Sequence, residues 1–233
     1  MRSRWLPAIK DGLAHAGRSV KGKEVAAAFY GDLFRPTVEA GRATDEEVRR
    51  IAAGAGLLDF LEERFGEAPL EALYDELGRE HGRQIIVQLG KYFQDDDLRT
   101  QVQERLEAVI DETTQVVVAH SMGTVVAYEA LVAHPEWAVD TFVTLGSPIA
   151  GEFNRSKLRP PVTGEGTGVW PHVRRWVNVQ AVGDTVIRTT DTARWFPGVE
   201  DIAVDNGPDA HRAEPYLNAV VTGRAIAEGL SGS

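Results

Sequence analysis

Three consecutive valines run directly into Ala119-His120-Ser121-Met122-Gly123, and a helical stretch from Gly123 to Ala133 follows at once. No other feature limits the fold as tightly. The β-branched run Gln115–Ala119 reads as a short strand. Being apolar throughout, it suits a parallel sheet covered on both faces. Small residues at 119 and 123 let the chain turn sharply where its neighbours approach closely. Such a turn lifts the Ser121 hydroxyl clear of the backbone at a helix N-terminus, where the Met122 N–H can face a developing oxyanion. The plainer alternative is that Ser121 only caps the helix.

The rest of the chain extends this pattern. Thr141 to Leu145, Trp176 to Val182 and, more weakly, Val199 to Val204 read as further strands, with a Gly- and Pro-rich loop at 151–171 and a C-terminal helix at 213–229. Strands alternating with helices predict an α/β fold with a mostly parallel sheet. Upstream, Leu6, Ile9, Leu13 and Ala16 mark a helix face within 5–16, and Val25 to Tyr30 reads as a buried strand. Thr44 and Glu47 form a capping-box pattern ahead of Val48, Ile51, Ala55, Leu58 and Leu61. Helical stretches follow at roughly 69–79, 81–93 and 96–112. Asp95-Asp96-Asp97 reads as the acidic start of the last one and not as a metal site. With no repeat or linker to divide it, residues 1–233 are expected to form a single domain. The helical insertion at 44–93 is either a lid or ordinary surface packing.

A nucleophilic serine needs a base, and the base needs an orienting acid. In the strand–turn–helix setting the chain order is serine, acid, histidine. Of the six histidines, His15 and His81 precede Ser121, His120 sits inside the turn, His134 ends a helix and His172 precedes the strand at 176–182. Only His211 follows every predicted strand. Asp184 stands after Gly183 at the C-terminal end of a strand, the edge where sites of open α/β sheets gather. Asp191, Asp201, Asp205 and Asp209 also fall between Ser121 and His211. Asp209 is only two residues from the histidine, and the plainer alternative for Asp184 is a turn residue after Gly183.

The segment 115–220 resembles the C-terminal two-thirds of an α/β-hydrolase of the lipase/esterase kind. The residues that carry the likeness are AHSMG at 119–123, TLGSP at 144–148, Gly183-Asp184-Thr185-Val186, and His211 ahead of Tyr216-Leu217. The resemblance implies a serine hydrolase cleaving a carboxylic ester, with Ser121, Asp184 and His211 as catalytic residues and Met122 N–H on the oxyanion. Ala119, His120 and Gly123 then complete the nucleophile elbow, although the first elbow position is more often Gly. A thioesterase or amidase could use the same three groups, and a non-catalytic binding module is the reading from a different class. What favours the module is a missing element. Such enzymes carry a strand ending in His-Gly before the first helix, and its loop donates a second oxyanion N–H. Here that strand would fall before Met1. Losing one such donor costs roughly 100- to 1,000-fold in rate in a worked case. The chain is therefore expected to be a shortened enzyme or a degenerate member; if it is not shortened, the strands at 25–30 and 115–119 are expected to pair directly or through one partner strand.

Composition narrows the partners. Lys and Arg number 25 against 35 Asp and Glu, a net charge of −10. So acidic a chain is a poor ligand for nucleic acid or anionic membranes. With no cysteine, disulfides, thiolate metal sites and a thiol nucleophile are excluded. No cofactor or metal is expected, and the partner is a small acyl substrate. No apolar run matches a signal peptide or a membrane span, so a soluble, cytoplasmic protein without stable membrane insertion is expected.

Overall fold

The computed structural model describes residues 2–34, 43–185 and 191–231. Val186 of the strand-end motif and the side chains of His81 and Asp209 lie outside the described residues. By its internal contacts the chain divides into two compact units, 1–28 with 106–233, and 29–105.

The first unit is built on a four-stranded, all-parallel sheet. Its strands are β1 (Val116–His120), β2 (Thr141–Leu145), β3 (Arg175–Ala181) and β4 (Glu200–Val204), side by side in that order. Val118 pairs with Val143, Val143 with Val177, and Val177 with Glu200. β2 is buried along its whole length, as an apolar central strand should be, while the outer strands β1 and β4 are only partly covered. Alternation sorts the central side chains onto two faces. Val143, Leu145, Val177 and Val179 join one core with residues of α1 (Arg2–Ala14), α9 (Ala213–Asn218) and α10 (Val220–Gly229). The intervening Trp176 packs its ring against Phe142, against Tyr128 of α7 (Met122–Ala133) and against Phe196, and Tyr128 meets Phe196 edge-on. A buried polar ladder runs through this second face. Trp176 Nε1 donates to Thr144 Oγ1 at 3.0 Å, Thr144 donates to Asn178 Oδ1 at 2.7 Å, and Asn178 Nδ2 donates to Thr192 Oγ1 and Asp201 Oδ1 at 2.9 and 2.7 Å.

Several expected elements take another form. Val25–Tyr30 is not a strand, and β1 ends the sheet with no further strand among the described residues. Three alanines weaken the β preference of this stretch. Single 3₁₀ turns at Gly22–Glu24 and Gly31–Phe34 also confine it at both ends. The pairing expected between 25–30 and 115–119 is therefore absent. The C-terminal helix is two helices, broken at Ala219, where ψ is 137°. The break lets both pieces rest on α1. A Cβ at Gly12 would fall 2.3 Å from the Leu217 carbonyl oxygen, and one at Gly223 would fall 1.8 Å from that of Gly12. A single straight helix would meet α1 at only one crossing. The loop at 151–171 contains a short helix, α8 (Glu152–Lys157).

The second unit is helical, with α2 (Asp45–Ala55), α3 (Leu57–Phe65), α4 (Pro69–Leu77), α5 (Arg79–Gln94) and the greater part of α6 (Asp96–Glu107). The expected capping box opens α2. Thr44 Oγ1 accepts from the Glu47 N–H at 3.2 Å, and Glu47 Oε2 accepts from the Thr44 N–H at 2.9 Å. Asp95 Oδ1 accepts from the Leu98 N–H at 2.9 Å, so the acidic run does start a helix. That helix stops at Glu107, short of 112. Asp111 instead accepts from the Thr113 N–H at 2.9 Å, a side-chain bond that competes with helix continuation. No helix of the described residues is long and apolar enough to cross a membrane.

Candidate active site

All the groups of the site come from the first unit, at the C-terminal edge of its parallel sheet. β1 ends at His120, and Ser121 is left between strand and helix. Its N–H continues the ladder to the Leu145 carbonyl at 3.0 Å, and its own carbonyl accepts the Thr124 N–H at 2.9 Å. Between these anchors Ser121 has φ 54° and ψ −133°, a backbone that L residues avoid. Such a conformation costs on the order of 1–3 kcal/mol and persists only where the surroundings hold it. The Ser121 side chain does not cap α7. Met122 is the first residue of α7, so its N–H has no carbonyl within the helix to meet. Ala119 is buried in β1, and Gly123 is half-buried in the first turn of α7.

β3 ends at Ala181, and the Gly183 turn follows, with φ +81°. It delivers Asp184, whose side chain is fully buried. The loop between β4 and α9 brings back His211. Its Nε2 lies 2.9 Å from Ser121 Oγ, and its Nδ1 lies 2.9 Å from Asp184 Oδ2. A carboxylate only accepts, so Nδ1–H donates to Asp184, and the bare Nε2 accepts the Ser121 hydroxyl. Hydroxyl, imidazole and carboxylate thus form one hydrogen-bonded row, capable of moving a proton from Oγ to Nε2. Asp191, Asp201 and Asp205 are engaged elsewhere, with the N–H groups of Arg194, Ala193 and Gly207.

Two further residues hold this row, Tyr216 and the elbow residue His120, and the sequence pattern points to neither contact. Tyr216 OH donates to Asp184 Oδ2 at 2.7 Å and accepts the Ala181 N–H at 2.8 Å. Burial and the adjacent Asp184 carboxylate both push its phenol pKa up, so it stays a donor. Gly146, with φ +54°, makes room for this pair. A Cβ there would sit 3.1 Å from the Tyr216 ring and 3.3 Å from Asp184 Oδ2. His120 is the second. Its Nε2 donates to the His211 carbonyl at 2.7 Å, its ring lies 4.9 Å from the His211 ring, and the Trp5 ring stands edge-on at 6.1 Å. Burial, and then the neighbouring His211, bring the His120 pKa down to about 4, so it is neutral at pH 7. The sequence marks Tyr216 only as a tyrosine after the loop histidine, and His120 only as a residue of the elbow. Their partners lie 32 and 91 positions away. Ser147, from the TLGSP segment, lies 2.7 Å from Thr124 Oγ1 and ties the end of β2 to the first turn of α7.

Among family models, curated proteins and solved structures, none matches this chain.

Proposed function

We propose that this protein is a serine hydrolase of the α/β-hydrolase kind, acting on a carboxylic ester. The observation that carries the reading is the row from Ser121 through His211 to Asp184, with both contacts at 2.9 Å. The left-handed φ of Ser121 supports it, because strain of this sort collects where function needs an exposed side chain.

In this reading Ser121 Oγ attacks the ester carbonyl carbon as its proton passes to His211 Nε2. Asp184 keeps the proton on Nδ1 and stabilises the imidazolium that forms. The carbonyl oxygen becomes an oxyanion facing the Met122 N–H at the positive end of α7. Collapse of the intermediate expels the alcohol, which takes the proton from Nε2 and leaves Ser121 acylated. Water then attacks the acyl carbon, giving its proton to His211. The carboxylic acid departs, and the proton returns to Oγ. Tyr216 and His120 act as positioning residues, one on the carboxylate and one on the His211 backbone.

A fluorophosphonate tests the chemistry, because its phosphorus is trapped by an activated serine. Labelling should map to Ser121 in the unmodified chain and vanish in Ser121→Ala, with turnover of short p-nitrophenyl esters lost in parallel. Equal labelling of both proteins would remove Ser121 from the role.

A further inference from the structure

Away from Ser121, the first unit holds a buried arginine that lacks a carboxylate. Arg155, in α8, is 5% exposed. Its Nε donates to the Ala150 carbonyl at 3.0 Å, and its guanidinium carbon lies 3.4 Å from the centre of the Trp195 ring. Among the described residues, neither terminal nitrogen has a hydrogen-bond partner, and no carboxylate lies within ion-pair distance. Nor are those nitrogens among the fully buried, unsatisfied polar atoms, so they reach solvent. Glu152, one turn earlier in α8, contributes attraction without pairing. Arg194 lies over the same ring at 4.9 Å; it is exposed and likewise has no carboxylate partner.

We propose that Arg155, Trp195 and Arg194 form a binding site for a small oxyanion, either a phosphate or a carboxylate. A buried arginine ordinarily keeps its charge by pairing. Among the described residues of this acidic chain, no carboxylate is paired with Arg155. Stacking on an indole fixes the plane of the guanidinium, and the Ala150 carbonyl fixes its rotation about that plane. The two terminal nitrogens are thus presented as a rigid fork, the shape that takes two oxygens of one anion. Arg194 adds a second positive charge at the mouth. Burial holds the Arg155 pKa below the usual arginine value, the direction expected of a cation short of partners. The site does not depend on the hydrolase reading, since none of its residues touches the Ser121 row.

The test is calorimetry and thermal denaturation of the full chain with inorganic phosphate and, separately, sodium acetate, each matched in ionic strength with sodium chloride. Saturable heat and a rise in Tm are expected with at least one anion. The anion that binds tells a phosphate ligand from a carboxylate one. Arg155→Met should weaken binding at least tenfold and Arg194→Gln roughly two- to tenfold. If Arg155→Met does not fold, Arg155→Lys replaces it, keeping the charge and losing the fork. No saturable response to either anion would overturn the site, as would equal binding in the unmodified chain and the Arg155 variant.

Discussion

Two buried charges in the first unit are treated in opposite ways. Asp184 accepts from both His211 and Tyr216. Arg155 has one backbone carbonyl and the face of an indole. A closed network holds its members in one geometry, and breaking it leaves a charge stranded. An open one is poised for something that is not part of the chain. The contrast separates the row proposed to move a proton from the cluster proposed to capture an anion.

The largest expected effect comes from opening the closed network. Asp184→Asn should lower ester turnover about 10,000-fold, because the amide NH2 can donate to Nδ1 and leave the proton on Nε2, the wrong tautomer facing Ser121. A loss under tenfold in steady-state kinetics would mean that Asp184 does not orient His211. Tyr216→Phe keeps the ring and removes one donor to a carboxylate, a bond of about 1.5–3 kcal/mol. Turnover should fall roughly 10- to 100-fold, and the freed Ala181 N–H should appear as faster amide exchange. An unchanged rate and exchange pattern would break the supposed link between Tyr216 and the row. In the open site the effect should be small. Arg155→Met, measured without added anion, should change unfolding free energy by no more than about 1 kcal/mol in either direction. Losing the stacked cation is offset by removing an unpaired buried charge. A destabilisation above about 3 kcal/mol in urea titrations would mean that Arg155 is as closed as Asp184.

The last effect is a slope with pH. Burial, and then the neighbouring His211, bring the His120 pKa down to about 4, below the ordinary imidazole value of 6.5. Between these values the unfolded chain binds the proton and the folded chain does not, so stability is lost as pH falls through this window. The contribution has a limiting slope of about 1.4 kcal/mol per pH unit. His120→Asn should flatten the curve of unfolding free energy against pH between 6.5 and 4 relative to the unmodified chain. Parallel curves for the two proteins would show that His120 is not the group responsible.

The strand, the turn and the helix around Ser121 were readable in the chain because they are local. Three valines, small residues on either side of the turn and an apolar helical run need only their neighbours to take their forms, and β2 has the bounds its sequence suggests. His211 and Asp184 could be singled out by order along the chain, since a parallel sheet gathers its strand ends at one edge. Local pattern failed where a competing contact lay far off. Val25–Tyr30 is apolar enough for a strand but finds none to pair with, and the C-terminal helix breaks at Ala219 to follow α1, about 200 residues earlier in sequence. By itself, then, the sequence determined an alternating α/β chain with a parallel sheet and the serine at a strong strand–helix turn. Only the tertiary structure decided that Nε2 and Nδ1 of His211 face Ser121 and Asp184, that Tyr216 and His120 hold that row, and that Arg155 stacks on Trp195 without a carboxylate. The reason is physical. Propensity and periodicity act over a few residues, whereas a hydrogen bond at 2.7 Å between residues 91 apart is set by how every intervening element packs.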